Sequence, residues 1–168
     1  MPVQTAKMAV NQVIVLLNGN DDRIYKEDTN IIILSKEDNK LLEKNCTILQ
    51  TNFESIEDLI KAEKIIKKQL KEINELVIIN KNIDLNMISY QYDYKFIKEN
   101  YLILTNIFFF INLLISKFDK NIDLILSLER DSHYKIHSNI FNESIINYLN
   151  IFKKDLKESH NLNIKILD

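Results

Sequence analysis

Apolar residues along the chain are concentrated in six short runs, each bounded by polar residues. The runs are rich in isoleucine, valine and leucine and are nearly continuous, which is typical of strands buried on both faces of a parallel sheet. We predict strands over 12–17, 30–34, 46–49, 76–80, 122–128 and 162–167.

Most of the segments between these runs have helical spacing of apolar residues or a capping residue at their start. We predict helices over 36–44, 55–73, 96–118 and 138–158. Ser35, Ser55 and Ser138 precede or begin three of them, where a hydroxyl can accept a hydrogen bond from a backbone N–H group. Strands that alternate with helices favour a single α/β domain over residues 1–168, with three layers and a parallel sheet of about six strands.

The segment 96–118 is the most apolar part of the chain, with eleven apolar residues out of fourteen over positions 102–115. A surface helix has one apolar stripe, but here Leu104 and Phe108 fall on one side and Phe109 falls on another. Such a helix needs cover on more than one side. We expect the sheet to cover one side, and another helix or a second copy of the protein to cover the other.

The first two predicted strands are joined by a short polar connection, residues 18–28. Asn30 follows Gly19 by eleven residues, which is too few for a tight turn and a helix. We therefore predict that the first crossover helix is missing and that one face of the sheet is poorly covered. Residues 1–10 or a partner should fill the gap. We place this gap near Val13, Val15, Ile31 and Ile33.

The charge of the chain gives no support for nucleic-acid binding, since the formal net charge is −2 and the pI is about 6.0. Lysines greatly outnumber arginines, so few guanidinium groups are available for bidentate contacts, and the abundance of Lys, Ile and Asn indicates AT-rich coding. The helix at 55–73 has a basic side, but glutamates interrupt it and such sides are usually solvated. It comprises Lys64, Lys67, Lys68 and Lys71, with Glu63 and Glu72 between or beside them.

The glycine and cysteine counts exclude several kinds of site. Gly19 is the only glycine, whereas phosphate loops, dinucleotide-binding turns and nucleophile elbows need several. Cys46 is the only cysteine, which excludes an internal disulfide and a multi-cysteine zinc site. Its position in an apolar strand predicts a buried and unreactive thiol.

No segment predicts export or membrane insertion. Residues 1–17 lack the basic start, the long apolar stretch and the cleavage site of a signal peptide. The apolar run at 102–115 is shorter than the roughly 18–20 residues of a membrane span, and extending it towards residue 96 adds Lys98 and Glu99. We therefore expect a cytoplasmic protein with no membrane partner.

The predicted loop 129–137 contains two groups of polar residues that could carry chemistry. Asp131, His133 and His137 include histidines four residues apart, a spacing that binds metal on a helix. The histidines fall in a loop with no third ligand fixed, so a solvated loop is the favoured interpretation. Tyr134 and Lys135 have the right types for proton transfer, but adjacent residues point apart.

The order of the segments resembles the short-chain dehydrogenase/reductase family from about residue 12 to residue 168. VIVLLNG is similar to the first strand ending in Thr-Gly, and IIILSKEDNKLLEKN to the second strand and the helix after it. ELVIIN is similar to the strand that runs into Asn-Asn-Ala-Gly, and FIKENYLILTNIFFFINLLI to the helix that bears the catalytic Asn. NIDLILSL is similar to the serine strand, and SNIFNESIINYLN to the Tyr-x-x-x-Lys helix. The resemblance implies a Rossmann-like, doubly wound sheet.

The departures from the family pattern fall where the cofactor and the substrate would bind. Of the glycine-rich turn that holds the cofactor pyrophosphate, Gly19 remains. The family's adenine-contacting Asp aligns with Asn52, and the glycine of Asn-Asn-Ala-Gly falls near Ile83. The catalytic Tyr and Lys align with Ser138 and Asn142. Serine cannot replace a phenol of tuned acidity, and asparagine has no charge to lower the pKa of a neighbour.

Two family residues do have counterparts, since Asn100 matches the catalytic Asn and Ser127 lies near the family serine. Without the acid and its lysine they do not make a reductase. The resemblance therefore implies a degenerate, truncated member that binds no cofactor and acts as a non-catalytic scaffold in protein–protein interaction. The alternative is a divergent NAD(P)-dependent oxidoreductase or nucleotide-binding protein with a rebuilt site.

The family commonly dimerises through the two helices that resemble 96–118 and 138–158 here. Both are apolar on more than one side, so we expect a symmetric homodimer through them. Phe109 and Phe110 are the candidates for residues that face the second copy. The rim of the interface is expected to carry Lys153, Lys154 and Lys157.

Overall fold

The computed structural model describes residues 10–25, 29–37, 46–81, 94–117, 121–128, 136–155 and 162–167. Within these ranges six strands alternate with helices, as the hydrophobic pattern predicts. The strands are β1 Val10–Asn18, β2 Thr29–Ser35, β3 Cys46–Gln50, β4 Glu75–Asn80, β5 Ile122–Leu128 and β6 Leu162–Leu167. The α-helices are α1 Ile56–Gln69, α2 Tyr94–Lys117 and α3 Ile136–Asp155.

All five strand pairings are parallel, and the strand order is β3-β2-β1-β4-β5-β6. The chain therefore adds β2 and then β3 on one side of β1, and it adds β4, β5 and β6 in turn on the other side. This confirms the predicted doubly wound, Rossmann-like sheet. In sheets of this kind the crevice for a ligand lies beyond the carboxyl ends of the strands where the order reverses, here β1 and β4.

The three α-helices pack on one face of the sheet and form the main core with it. Side chains of α1, α2 and α3 share one cluster with alternate residues of the central strands. The cluster includes Val13, Val15, Ile32, Leu34, Leu59, Ile66, Leu76, Ile78, Phe110, Ile111, Leu124, Leu126, Ile145 and Leu149. Each of these is at most 2 % exposed, which gives the fold its largest hydrophobic stabilisation.

The opposite face of the sheet has a smaller apolar cluster, to which none of the three described helices contributes. It is built on Ile14, Leu16, Ile33, Val77, Ile79 and Ile125, together with Ile24 from the connection between β1 and β2. Of the predicted helix at 36–44, residues 38–44 lie outside the described residues. Cys46 packs beside this cluster and is half-buried, whereas its place in an apolar strand predicted a buried thiol.

The expected position of the poorly covered region needs a correction. Val13 pairs with Ile32 and Ile14 pairs with Ile33, so Val13 and Ile33 lie on opposite faces. Val13 and Val15 are fully buried against the helices. The face left without the first crossover helix is the one that carries Ile14 and Ile33, and both side chains are fully buried there. Residues 1–9, the expected cover, lie outside the described residues.

The connection between β1 and β2 has no α-helix among its described residues, as predicted, and its length explains why. It must return along the strands, a distance of about 23 Å for the seven residues of β2. The connection is residues 19–28. As an α-helix it would span only about 15 Å, whereas an extended chain of this length reaches about 33 Å.

Among the described residues of this connection, Asp22–Ile24 form a 3-10 turn in place of the first crossover helix. Its buried Ile24 side chain packs on the sheet, and the Ile24 carbonyl accepts a hydrogen bond from Gln12 Nε2 at 3.2 Å. The same Gln12 nitrogen donates to Glu75 Oε2 at 2.9 Å. Gln12 therefore ties the connection to two neighbouring strands near their amino ends.

The start of α1 confirms the predicted cap. Ser55 is the N-cap residue, and its Oγ accepts a hydrogen bond from the Asp58 backbone N–H at 3.2 Å. Asp58 Oδ2 in turn accepts from the Asn52 N–H at 3.3 Å, so the carboxylate stabilises the turn that leads into the helix. The Ser55 contact satisfies one of the donors that the first turn of a helix leaves free.

The central helix α2 is longer than its apolar run. Over Lys98–Lys117 it is long and apolar enough to cross a membrane by length and composition alone, with one third of the residues buried. The argument that the run is too short for a span is therefore wrong for the whole helix. Ile107, Phe110, Ile111 and Leu114 are fully buried against the sheet, as expected for the core helix of an α/β domain.

Candidate functional site

Where the strand order reverses, the backbone segments that follow β1 and β4 make a close contact. Gly19, which follows β1, has φ of +74°, a conformation that favours glycine. A Cβ atom at this position would lie 2.7 Å from the Lys81 carbonyl oxygen. The Lys81 N–H also donates to the Asn18 carbonyl at 2.7 Å. The single glycine therefore permits β1 and β4 to end in contact.

Asp21 lies in the connection that follows β1, beside the carboxyl ends of β4 and β5. Its carboxylate is 5 % exposed and accepts hydrogen bonds from three residues. Arg23 donates from Nε to Oδ1 at 2.9 Å and from Nη2 to Oδ2 at 2.7 Å, and its backbone N–H donates to Oδ1 at 3.1 Å. Lys81 Nζ lies 3.1 Å from Oδ2, and Ser127 Oγ donates to Oδ2 at 2.6 Å. The site thus joins the first connection to the ends of β4 and β5.

The electrostatics of this group favour an ionised Asp21. The hydrogen bonds from the Arg23 side chain lower the pKa of Asp21 far below its ordinary value of 3.8. Burial acts in the opposite direction, and the bonds from Ser127 and Lys81 lower the pKa further. A carboxylate held in this way is a permanent negative charge and has no proton to transfer near neutral pH.

Asn142, which the sequence resemblance aligns with the family's lysine, is fully buried in α3. Its Oδ1 accepts a hydrogen bond from Asn80 Nδ2, at the end of β4, at 2.7 Å. Asn80 is itself only 7 % exposed. The position therefore holds a neutral amide that links a helix to the sheet, on the face opposite to Asp21.

The other residues aligned with family positions are distributed around the sheet. Asn52 is exposed, and its Oδ1 accepts from the Glu54 N–H at 3.1 Å in the turn before α1. Asn100 is half-buried on α2. Ser138 falls in the first turn of α3. Ile83 lies outside the described residues.

The candidate residues of the loop before α3 are not brought into a described site. Asp131, His133, Tyr134 and Lys135 lie outside the described residues, and His137 is the second residue of α3. Among the residues that the structure describes, no group of three or more His, Cys, Asp or Glu side chains could hold a metal ion. The basic side chains of α1 are solvent-exposed, as predicted, and so is the lysine just after the helix: Lys64, Lys67, Lys68 and Lys71.

Tyr25 lies in the connection between β1 and β2, and the sequence pattern gave no reason to single it out. Its hydroxyl donates to Asn20 Oδ1 at 2.8 Å. Burial raises the pKa of Tyr25 above its ordinary value of 10.0, and the nearby Cys46, Asp22 and Asp21 raise it further. A phenol that serves as a catalytic acid near neutral pH needs its pKa lowered instead.

Sequence reasoning also missed Asp21, Arg23 and Lys81 as a group. Asp21 and Arg23 are near neighbours in a polar connection, which alone predicts a solvated turn. Lys81 follows β4 and Ser127 belongs to β5, and the parallel pairing of β1, β4 and β5 brings their ends together. A short acidic and basic connection directly after the first strand of a doubly wound sheet is the signal that could have indicated the group.

No protein-family model matches the chain, and no curated protein matches it in sequence. Its fold, however, is that of the short-chain dehydrogenases/reductases. A member from Burkholderia vietnamiensis superposes with a TM-score of 0.68 at 6% identity, over 94% of this chain and 82% of that one. One from Francisella tularensis gives 0.66 at 11%, over 93% and 68%. The aldohexose dehydrogenase of Thermoplasma acidophilum gives 0.65 at 14%, over 93% and 65%.

These structures are consistently short-chain dehydrogenase/reductase proteins and cover most of this chain. The chain spans between about two-thirds and four-fifths of their length. At such low identity the likeness defines the fold, a six-stranded parallel sheet with this strand order. What the chain does has to be argued from its own side chains.

Proposed function

We propose that the protein is a non-catalytic scaffold with the short-chain dehydrogenase fold, and that it acts through protein–protein interaction. The observation that carries this proposal is that polar side chains at the carboxyl ends of the strands are already hydrogen-bonded within the protein. The Asp21 carboxylate accepts hydrogen bonds from Ser127 and Lys81, and the Asn142 side chain accepts one from Asn80. Polar groups that are bonded to one another are not arranged to polarise a carbonyl or hold a nicotinamide.

A second argument comes from the place where a dinucleotide lies in this fold. The pyrophosphate needs a glycine-rich turn and the start of a helix after the first strand. Here Gly19 leads into Asp21 and a single 3-10 turn. The Asp21 carboxylate would repel the phosphates because both are negatively charged. It also neutralises part of the positive charge of Arg23 and Lys81.

The test is a titration of the purified protein with NADPH and NADH, followed by fluorescence or calorimetry. We expect no binding stronger than about 100 μM, which corresponds to roughly −5.5 kcal/mol. A tighter dissociation constant for either nucleotide would contradict the proposal. It would favour the alternative, a divergent oxidoreductase or nucleotide-binding protein with a rebuilt site. Compatible with that alternative, similar structures include a Bacillus cereus enoyl-acyl carrier protein reductase with NADP+.

The interaction surface that we propose lies on α2 and α3, and we name it the α2–α3 surface. Its exposed apolar residues are Tyr101, Leu102, Phe109 and Ile151. Beneath them Phe108 stacks on Tyr148 with ring centroids 3.9 Å apart, and Phe152 stacks on Tyr148 at 5.8 Å. An apolar patch of this kind on an ordered helix pair is typical of a protein interface.

The occupant that we propose is a second copy of the chain, related by a two-fold axis. Between Glu99 and Lys117 the sequence of α2 contains no charged residue, although its outer side is exposed. Charges lie at the margins, at Lys98 on α2 and at Lys153 and Lys154 on α3. An apolar centre with a charged rim fits an isologous interface, which for a stable dimer buries on the order of 2,000 Å².

One correction to the expected interface follows from burial. Phe110 is fully buried inside the domain, so it cannot face a second copy, whereas Phe109 is 40 % exposed. Lys157 lies outside the described residues. In this proposal the protein is cytoplasmic and binds neither nucleic acid nor a membrane. A protein that stays in solution without detergent at micromolar concentration supports it, and one that needs detergent contradicts it.

A further inference from the structure

The Asp21 carboxylate is surrounded by more donors than a surface carboxylate normally has. Five contacts hold it: three from Arg23, through its backbone N–H, Nε and Nη2, one from Lys81 Nζ and one from Ser127 Oγ. The donors come from three separate parts of the chain, the connection, the end of β4 and the end of β5. They converge on one side chain, which is a geometry built around an anion.

The chemistry of these donors is not specific for an aspartate. A guanidinium group offers a planar fork that matches carboxylate and phosphate oxygens equally well, and an ammonium group adds a point charge. Ser127 is fully buried and the Lys81 side chain is 19 % exposed, so neither can easily turn to water instead. Without Asp21, two cations and a hydroxyl would remain around a cavity the size of a carboxylate.

We propose that Arg23, Lys81 and Ser127 form an oxyanion-binding site, and that Asp21 occupies it as an intramolecular competitor. The ligand class is a small phosphate or carboxylate group. Because Asp21 is attached two residues from Arg23, it competes at an effective concentration of at least the millimolar range. An external anion must exceed this effective concentration to displace it, so the site is closed to anionic ligands below the millimolar range.

The test is chemical rescue of Asp21→Ala with formate and with inorganic phosphate. Each anion is compared with chloride at the same ionic strength, and thermal unfolding is the measurement. Formate reproduces the carboxylate that the substitution removes, and phosphate represents the other ligand class. We expect a saturable rise in Tm of about 3–6 °C when the anion is present at roughly ten times its dissociation constant.

Two variants serve as controls. Asp22→Ala removes the same charge one residue further on, where the carboxylate is exposed, and should show no anion-specific shift. The double variant Asp21→Ala with Lys81→Met removes part of the site and should lose most of the anion-dependent rise in Tm. The wild type should not respond to either anion beyond the effect of chloride.

Three results would overturn the proposal. The first is an Asp21→Ala protein whose Tm rises no more in formate or phosphate than in chloride. The second is a wild type that shows the same saturable shift, since its site would then not be closed. The third applies if Asp21→Ala is recovered only from inclusion bodies, in which case the refolding yield is measured instead of Tm. A higher yield in formate or phosphate than in chloride supports the proposal, and an equal yield contradicts it.

Discussion

Asn80 at the end of β4 donates a 2.7 Å hydrogen bond from its side-chain amide to the Oδ1 atom of Asn142 in α3. Both residues are buried, and they are separated by 62 positions in the sequence. By the sequence resemblance, Asn142 aligns with the family's catalytic lysine, and the contact places a neutral pair there. It links α3 to the sheet, and a charged side chain placed there would be buried, because both residues are at most 7 % exposed.

Replacing Asn142 by lysine should therefore destabilise the protein instead of restoring an activity. We expect Asn142→Lys to lower the free energy of unfolding by about 2–5 kcal/mol, because it buries an unpaired charge and leaves Asn80 without its acceptor. Urea denaturation measures the change. Asn150→Lys on the exposed side of the same helix is the matched control and should change stability by less than about 0.5 kcal/mol.

The double variant Ser138→Tyr with Asn142→Lys should likewise reduce no carbonyl substrate with NADPH or NADH. The glycine-rich turn would still be absent, and Asp21 would still lie beside the carboxyl ends of β4 and β5. Turnover above that of the wild type would show that the absence of the Tyr and Lys pair alone prevents catalysis by this protein.

Substitutions at Phe109 and Phe110 should separate association from folding. Phe109 is exposed on the α2–α3 surface, so Phe109→Asp should leave a folded chain that sediments as a monomer. Placing a charge in the proposed interface should weaken the dimer by several kcal/mol. Phe110 is fully buried, so Phe110→Asp should unfold the domain or make it insoluble.

Sedimentation and circular dichroism at micromolar concentration distinguish these outcomes. Lys153→Asp, at the exposed rim, should change neither the mass nor the fold. A wild type that sediments as a 19.9 kDa monomer would reject the homodimer.

Loss of the Lys117 ammonium group should destabilise the contact between α1 and α2. Lys117 Nζ lies 3.5 Å from Glu63 Oε1, and the Glu63 side chain is 2 % exposed. Lys117→Met would leave this carboxylate buried without its counter-ion, at an expected cost of about 1–2 kcal/mol in unfolding free energy. Lys61→Met is the control, because the Lys61–Asp58 pair is exposed and 3.8 Å apart. Its change should be close to zero, and equal losses for both variants would show that the buried carboxylate has no special role.

The stability that Asp21 provides should depend on pH in the acidic range. Its pKa in the folded protein is lowered, chiefly by Arg23, from an ordinary value of 3.8. The ionised form therefore stabilises the fold fully above about pH 4, and this contribution is lost as the pH falls towards the lowered pKa. At pH 7 we expect Asp21→Asn to be less stable than the wild type by about 2–4 kcal/mol.

Urea denaturation of both proteins at pH 7, 4, 3 and 2 checks this dependence. The difference between them should shrink steadily below about pH 4. Asp22→Asn accounts for the loss of one negative charge without the buried contacts. A difference that stays constant down to pH 2 would contradict the role assigned to the ionised carboxylate.

The sequence by itself determined the elements, their order and the class of the sheet. Continuous apolar runs and helical spacing are local properties of the chain, and burial of the runs on both faces leaves few alternatives to a parallel sheet. The missing first helix was also predictable, because the length of residues 19–28 limits what can return along a strand. The cap at Ser55 follows from its local pattern in the same way.

Only the tertiary structure decided which side chains meet at the carboxyl ends of the strands. Asp21 and Ser127 are 106 residues apart, and the pairing of β1, β4 and β5 brings them within hydrogen-bond distance. The register likewise decided that Val13 and Ile33 lie on opposite faces, because a shift of one residue moves a side chain through the sheet. The exposure of Phe109 and the burial of Phe110 were decided by the packing of α2, since neighbours on a helix point about 100° apart.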